Sequence, residues 1–132
     1  MEELVVQSHA RTELIDITEA VSGAVNRLGV KHGAVLIYVP HTTGAVTINE
    51  NADPTVPSDI LDVLNRVIPW EANYRHLEGN SAAHIKSVLV GASEWVAVEK
   101  GALALGTWQG IFFCEFDGPR RRRVWVQPCG GA

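Results

Sequence analysis

The feature that most constrains this chain is the unbroken apolar run Ala34-Val35-Leu36-Ile37-Tyr38-Val39, closed by Pro40. β-Branched and aromatic side chains suit a pleated surface and proline cannot continue a ladder, so the run reads as a buried strand that ends at Pro40. A buried strand needs partners. The chain supplies short apolar segments at even spacing from Leu4 to Val126, with no repeat, low-complexity block or linker to divide them. One domain over residues 1–132 is therefore expected, a size at which folding buries about two-thirds of the unfolded chain's surface without any covalent staple.

Around that strand, residues 4–8 and 13–17 read as two short strands of a hairpin turning at 9–12. Thr18 is expected to cap a helix to Leu28, stopped by Gly29, with Ala20, Val21, Ala24, Val25 and Leu28 as its apolar stripe. Residues 45–49 form a strand, and 58–68 a second helix, favoured at its start by Asp59 and Asp62 and closed by Pro69. Residues 81–90 make a third helix between Asn80 or Ser81 as N-cap and Gly91 as stop. Strands at 95–98, 103–105, 110–116 and 123–127, turned at Lys100-Gly101 and Gly118-Pro119, complete the pattern. The order implies an α+β fold, a largely antiparallel sheet with about three helices.

Fifteen acids against eleven bases give a net charge of −4, which offers no global field for nucleic acid or an anionic membrane. Anion binding must come from local clusters. The two cysteines, Cys114 and Cys129, are far from a disulfide framework and suit a reducing compartment. The start Met1-Glu2-Glu3-Leu4 has no signal-like pattern, and no apolar run approaches the roughly 18 residues needed to cross a bilayer, so a soluble cytoplasmic protein is expected.

Three histidines stand in chemically suggestive places: His41 past the buried strand, His76 before the third helix and His84 within it. If Asn80 opens that helix, His84 lies one turn along its face and the two address one pocket. Three neutral imidazoles suit a transition metal with an open position; satisfied structural histidines or proton-transfer groups are the alternatives. His9 and His32 read as surface residues.

The segment His41-Thr42-Thr43-Gly44 joins a base, two hydroxyls and a glycine that permits close approach, fit for a phosphate or a metal-bound water, or simply for a turn. Glu50, with Asn49, Asn51 and Asp53, offers oxygen to a hard cation such as Mg²⁺, although Asp53 is explained by a turn. Period-2 alternation sets Gln109, Ile111, Phe113, Glu115 and Asp117 on one strand face, with Phe112, Cys114 and Phe116 on the other. Glu115 among apolar neighbours invites a general-acid or ligand role; an ion pair is the alternative, above all for Asp117. Of Arg120-Arg121-Arg122-Arg123, alternation lets at most half converge on one site. Arg120 is taken as the phosphate candidate and the rest as a solvated tip or subunit contact. Cys114 reads as a small buried hydrophobe.

The strings His41-Thr42-Thr43-Gly44-Ala45-Val46-Thr47-Ile48-Asn49-Glu50-Asn51-Ala52-Asp53-Pro54, Glu78-Gly79-Asn80-Ser81-Ala82-Ala83-His84-Ile85-Lys86, and Leu105-Gly106-Thr107-Trp108-Gln109-Gly110 continuing to Cys114-Glu115-Phe116-Asp117-Gly118-Pro119-Arg120 resemble the YjbQ family, also called UPF0047. Ala102 departs from the family pattern, in which a basic residue often follows the Lys100-Gly101 turn. The resemblance implies a small α+β domain forming a homotrimer, with a polar pocket near a subunit boundary. By matching position, His41, His76, His84, Asn80, Glu50, Gln109, Glu115 and Arg120 would line it, the histidines similar to those that hold a metal.

Members are commonly labelled secondary thiamine-phosphate synthases. The resemblance thus implies a transferase that joins a hydroxymethylpyrimidine diphosphate to a thiazole phosphate, using a divalent ion, Zn or Mg. In that scheme the ion and Arg120 hold the leaving group, Thr42 and Thr43 donate to phosphate oxygens, and His41, Glu50 or Glu115 serves the chemistry. Asn80, Gln109 and Trp108 would contact substrate, Trp108 by stacking a pyrimidine. The competing readings are a metal-dependent hydrolase of a phosphorylated small molecule and a non-catalytic trimeric metal- or metabolite-binding module.

Overall fold

Every strand pairing in the computed structural model, which describes residues 1–129, is antiparallel. In chain order the elements are β1 (Glu2–Gln7), β2 (Glu13–Asp16), α1 (Thr18–Leu28), β3 (Gly33–Tyr38), β4 (Gly44–Glu50), α2 (Thr55–Val67), α3 (Ser81–Val90), β5 (Ser93–Glu99), β6 (Ala102–Leu103), β7 (Gln109–Glu115) and β8 (Arg121–Cys129). They form two sheets, one of five strands in the order β1-β8-β3-β5-β6 and one of three in the order β2-β7-β4. The expected α+β fold with antiparallel sheets and three helices is the observed one.

The hairpin expected from residues 4–8 and 13–17 does not form. β1 pairs with β8 in the large sheet, while β2 pairs with β7 in the small one. The segment between them therefore crosses from one sheet to the other. The strand expected to be buried, β3, sends Val35 and Ile37 fully inward, whereas Tyr38 is exposed on the open face of the large sheet, stacked on Trp125.

The main core lies between the sheets. Leu4, Val6, Val35, Ile37, Val96, Val98, Val124 and Val126 of the large sheet meet Val46, Ile111 and Phe113 of the small one, and α1 adds Val21, Ala24 and Val25. The small sheet is buried on both faces: Ala45, Cys114 and Phe116 on its other side take Ala83 from α3 and, partly buried, Leu61 and Leu64 from α2. Burial pushes the Cys114 thiol up to about 12, which keeps it protonated and inert.

The helix limits follow local chemistry. Thr18 is the first residue of α1 and not its cap; its N–H and hydroxyl both donate to Asp16 Oδ1, and Gly29 closes the helix at φ 71°. α2 begins earlier than expected, at Thr55, because Asp53 Oδ1 accepts from the Thr55 N–H and hydroxyl. α3 spans the expected residues and ends at Gly91, but the Asn80 side chain makes no cap bond. Between these helices the buried Lys86 reaches Asn65 Oδ1 at 2.6 Å.

Gly44 opens β4 where the sheets close on each other, and a Cβ there would stand 2.7 Å from Phe113 Cζ. Gly44→Ala should therefore lower unfolding free energy by about 1–3 kcal/mol, the usual cost of overpacking a dense core, measured by urea denaturation. An unchanged midpoint would show that the Phe113 ring yields freely.

Candidate functional site

A cavity of about 690 Å³ opens at the end of the sandwich where β4 begins and β7 finishes. Three stretches of chain wall it: Pro40 to Thr43 before β4, the loop carrying Trp70, His76, Glu78 and Asn80 with His84 of α3, and Asp117, Arg120 and Arg122 from the turn into β8. His41, His76 and His84 thus share one concavity, as do Thr42, Thr43, Asn80 and Arg120.

The floor is a buried ion pair. Arg122, 2% exposed, donates from Nε to Glu115 Oε1 at 2.8 Å and from Nη2 to Glu115 Oε2, and Glu115 is fully buried. The Ser8 hydroxyl donates to the same carboxylate at 2.7 Å and the Asp117 N–H at 2.9 Å. Burial by itself would raise the Glu115 pKa, but these donors outweigh it and hold the group below the ordinary carboxylate value. Glu115 is accordingly an ionised anchor in this fold, and the general-acid role considered for it finds no proton to give. Arg122, taken from the sequence as solvated or a subunit contact, is instead the innermost cation of the site.

That pair also aims its neighbours. Arg122 Nη2 donates to Thr43 O at 3.1 Å and to Thr43 Oγ1 at 2.8 Å, so the threonine hydroxyl accepts there and keeps its own hydrogen for another partner. Asp117 Oδ2 accepts from Asn80 Nδ2 at 2.9 Å and from Arg120 Nη2 at 3.2 Å. With its amide nitrogen so engaged, Asn80 is left with a buried Oδ1 that has no partner among the described residues.

β3 stops at Tyr38, two residues before the expected limit at Pro40, and the ring of His41 then does what a continuing strand would have done: its Nε2 accepts the Arg123 N–H at 2.9 Å. Only an unprotonated nitrogen can accept, so His41 is neutral here with its hydrogen on Nδ1. Burial lowers its pKa, helped by the Arg122 guanidinium and opposed by the Glu115 carboxylate. As arranged, His41 presents an N–H and no free lone pair. His76 and His84 stand edge to face with ring centroids 5.5 Å apart, and His76 Nε2 lies 4.0 Å from Glu78 Oε2. Among the described residues no group of three His, Cys, Asp or Glu side chains is set to hold an ion. Two neighbouring imidazoles, His76 and His84, are the nitrogen donors this cavity could offer an ion, and His41 is not placed as a third.

Three expected residues are elsewhere. Glu50 and Gln109 pair at the far end of the β4–β7 ladder from Gly44 and Glu115, about 20 Å along the strand at the usual rise per residue. Gln109 Oε1 accepts the Gly106 N–H, and Trp108 is exposed in the same turn. The residues that the sequence reading missed, Arg122 and Ser8, carried a signal. Arg122 shares parity with the buried Val124 and Val126, and Ser8 with Leu4 and Val6.

The family model for UPF0047 protein YjbQ-like matches residues 2–131. YugU of Bacillus subtilis, also a UPF0047 protein, is 54% identical over 128 residues, covering 96% of this chain and 97% of that one. A crystal structure of a YjbQ/UPF0047 family protein from Clostridium acetobutylicum superposes with a TM-score of 0.95 at 49% identity, covering 98% of this chain and all of that one. One from Thermus thermophilus, a conserved hypothetical protein, gives 0.91 at 43% identity, over 98% and 100% of the two chains. The chain belongs to the YjbQ (UPF0047) family. No helix among the described residues is long and apolar enough to cross a membrane.

Removing one member of a buried ion pair typically costs about 3–5 kcal/mol, because the other charge is stranded. Glu115→Gln should lose stability of that order at neutral pH, and Glu115→Gln with Arg122→Gln should lose less than the sum of the single changes. The folded-state pKa of Glu115 is depressed, so its contribution is present above the unfolded carboxylate pKa and disappears as pH falls through the lowered value. The gap between wild type and Glu115→Gln should therefore close in acid, as read by chemical denaturation across pH. A gap independent of pH would contradict the assignment.

Proposed function

We propose that this chain is a metal-assisted transferase of thiamine-phosphate synthase-like activity, joining a hydroxymethylpyrimidine diphosphate to a thiazole phosphate with release of pyrophosphate. The observation that carries the reading is the meeting of three imidazoles from separate stretches of chain in one cavity with Asn80 and Arg120. A divalent ion bound there would supply Lewis-acid stabilisation of the departing anion. His76 and His84 would hold it, and nitrogen donors favour Zn²⁺ over Mg²⁺, which prefers oxygen. The nearby carboxylates of Glu115 and Asp117 are already committed to Arg122 and to Asn80 and Arg120.

Within the chain, each remaining group has a definite task. His41 donates a hydrogen bond from its Nδ1–H to an oxygen of the departing anion, its other nitrogen being held by the Arg123 N–H. Arg120, anchored to the Asp117 backbone and side chain, faces phosphate oxygens together with the hydroxyls of Thr42 and Thr43. The reading includes a homotrimer, for which the exposed Val5, Tyr38 and Trp95 on the open sheet face and Val88 and Leu89 on α3 are suitable cover. Glu50, Trp108 and Gln109 enter it only across a subunit boundary. A reducing, cytoplasmic setting suits the free thiols of Cys114 and Cys129.

His84→Ala should keep the circular dichroism spectrum and oligomeric state of the wild type while losing metal, by elemental analysis of untagged protein, and turnover. Pyrophosphate released only when the thiazole acceptor is present identifies transfer. Phosphate released without an acceptor makes the protein a hydrolase instead, and retained turnover in a metal-free His84→Ala protein removes the metal from the reading.

A further inference from the structure

We infer that Arg122 forms the floor of a receptor for a phosphoryl group, contacting the ligand directly through its Nη1 amine. This deepens the reading above, on which it rests for the identity of the cavity as the substrate site, but the contact itself requires neither metal nor turnover.

Arg122 is 2% exposed, yet among the described residues only its Nε and Nη2 find acceptors, in Glu115 and Thr43. Nη1 has none among the described residues and is not one of the side-chain atoms sealed without a partner, so it opens on the cavity that the residue lines. The open arm of a guanidinium otherwise sealed in the fold is a donor that a guest can take without breaking any bond within the protein. Here Glu115 grips one side of the fork and leaves the other for a guest, with no rotamer left to freeze when it arrives.

The surroundings select the kind of guest. The Thr43 hydroxyl, whose oxygen accepts from Arg122, has its hydrogen free, and Thr42 and Arg120 stand on the same wall. Donors set around a cavity from separate chain segments match a tetrahedral oxyanion better than a planar carboxylate, which one fork satisfies. The opposing charges are spent or distant. Asp117 is bound to Asn80 and Arg120, and Glu78 lies at the rim with a side chain 75% exposed. The unpartnered Asn80 Oδ1 asks for a donor, which a singly protonated phosphate or a neighbouring N–H or O–H of its ester provides.

The test is titration calorimetry of chelator-treated protein with inorganic phosphate at constant ionic strength. Wild type should bind saturably, and the paired change Arg122→Gln with Glu115→Gln, which strands no charge, should weaken binding by at least about tenfold, as expected for lost charge-assisted hydrogen bonds. No saturable binding by wild type, or equal binding by the folded double variant, overturns the inference. If the double variant does not fold, the side-chain ¹⁵N signals of Arg122 in wild type, assigned by their loss in Arg122→Lys, decide: movement with phosphate supports it and constancy overturns it. The two readings fail separately. Metal-free phosphate binding without transferase turnover keeps the receptor and removes the transferase, whereas turnover without such binding does the reverse.

Discussion

The pairing of Glu115 with Arg122 is the interaction on which the rest of the molecule hangs. Glu115 closes β7 in the small sheet and Arg122 stands at the start of β8 in the large one, so the pair spans the gap between them where the core runs out. Neither charge is tolerable alone in such a place, and the bond is acceptable because the carboxylate collects Ser8, Asp117 and both arms of the fork. Ser8 follows β1 and Thr43 precedes β4, which makes one cluster the common anchor of four strand ends.

A site built on such an anchor inherits its rigidity. Thr43 and Arg122 are set by the sheets, and His41 is set by the Arg123 amide just beyond the end of β3. His84 arrives on α3, which is packed against the small sheet through Ala83, and Asn80, just before that helix, is tied back to Asp117. Trp70, His76 and Glu78 come from the irregular chain between α2 and α3. Apart from His76, the groups assigned to bind thus rest on regular elements or next to their ends, where side-chain geometry is held best.

Local chemistry was legible wherever a few neighbouring residues decide the outcome. Gly29 and Gly91 stop helices because the chain must leave the helical region there, and Ala34 to Val39 makes a strand because its side chains are branched or aromatic. The alternation from Gln109 onward set Glu115 on the face of Ile111 and Phe113, as found. The hairpin of β1 with β2 failed since closeness in sequence favours it only until a distant strand offers a better hydrophobic match, which β8 does for Leu4 and Val6. Glu50 and Gln109 share a strand pair with the site residues but sit at its other end, a distance that spacing along the chain does not disclose.

The sequence by itself determined the element types, the antiparallel α+β class, the family and the three histidines worth watching, because these depend on residue type, period and order along the chain. Only the tertiary structure decided that Arg122 turns inward to Glu115, that His41 spends its lone pair on the backbone of β8, and that one wall of the cavity lacks Glu50, Trp108 and Gln109. The reason is that such choices are made by which strands become neighbours and in what register, and that depends on burying the whole core at once.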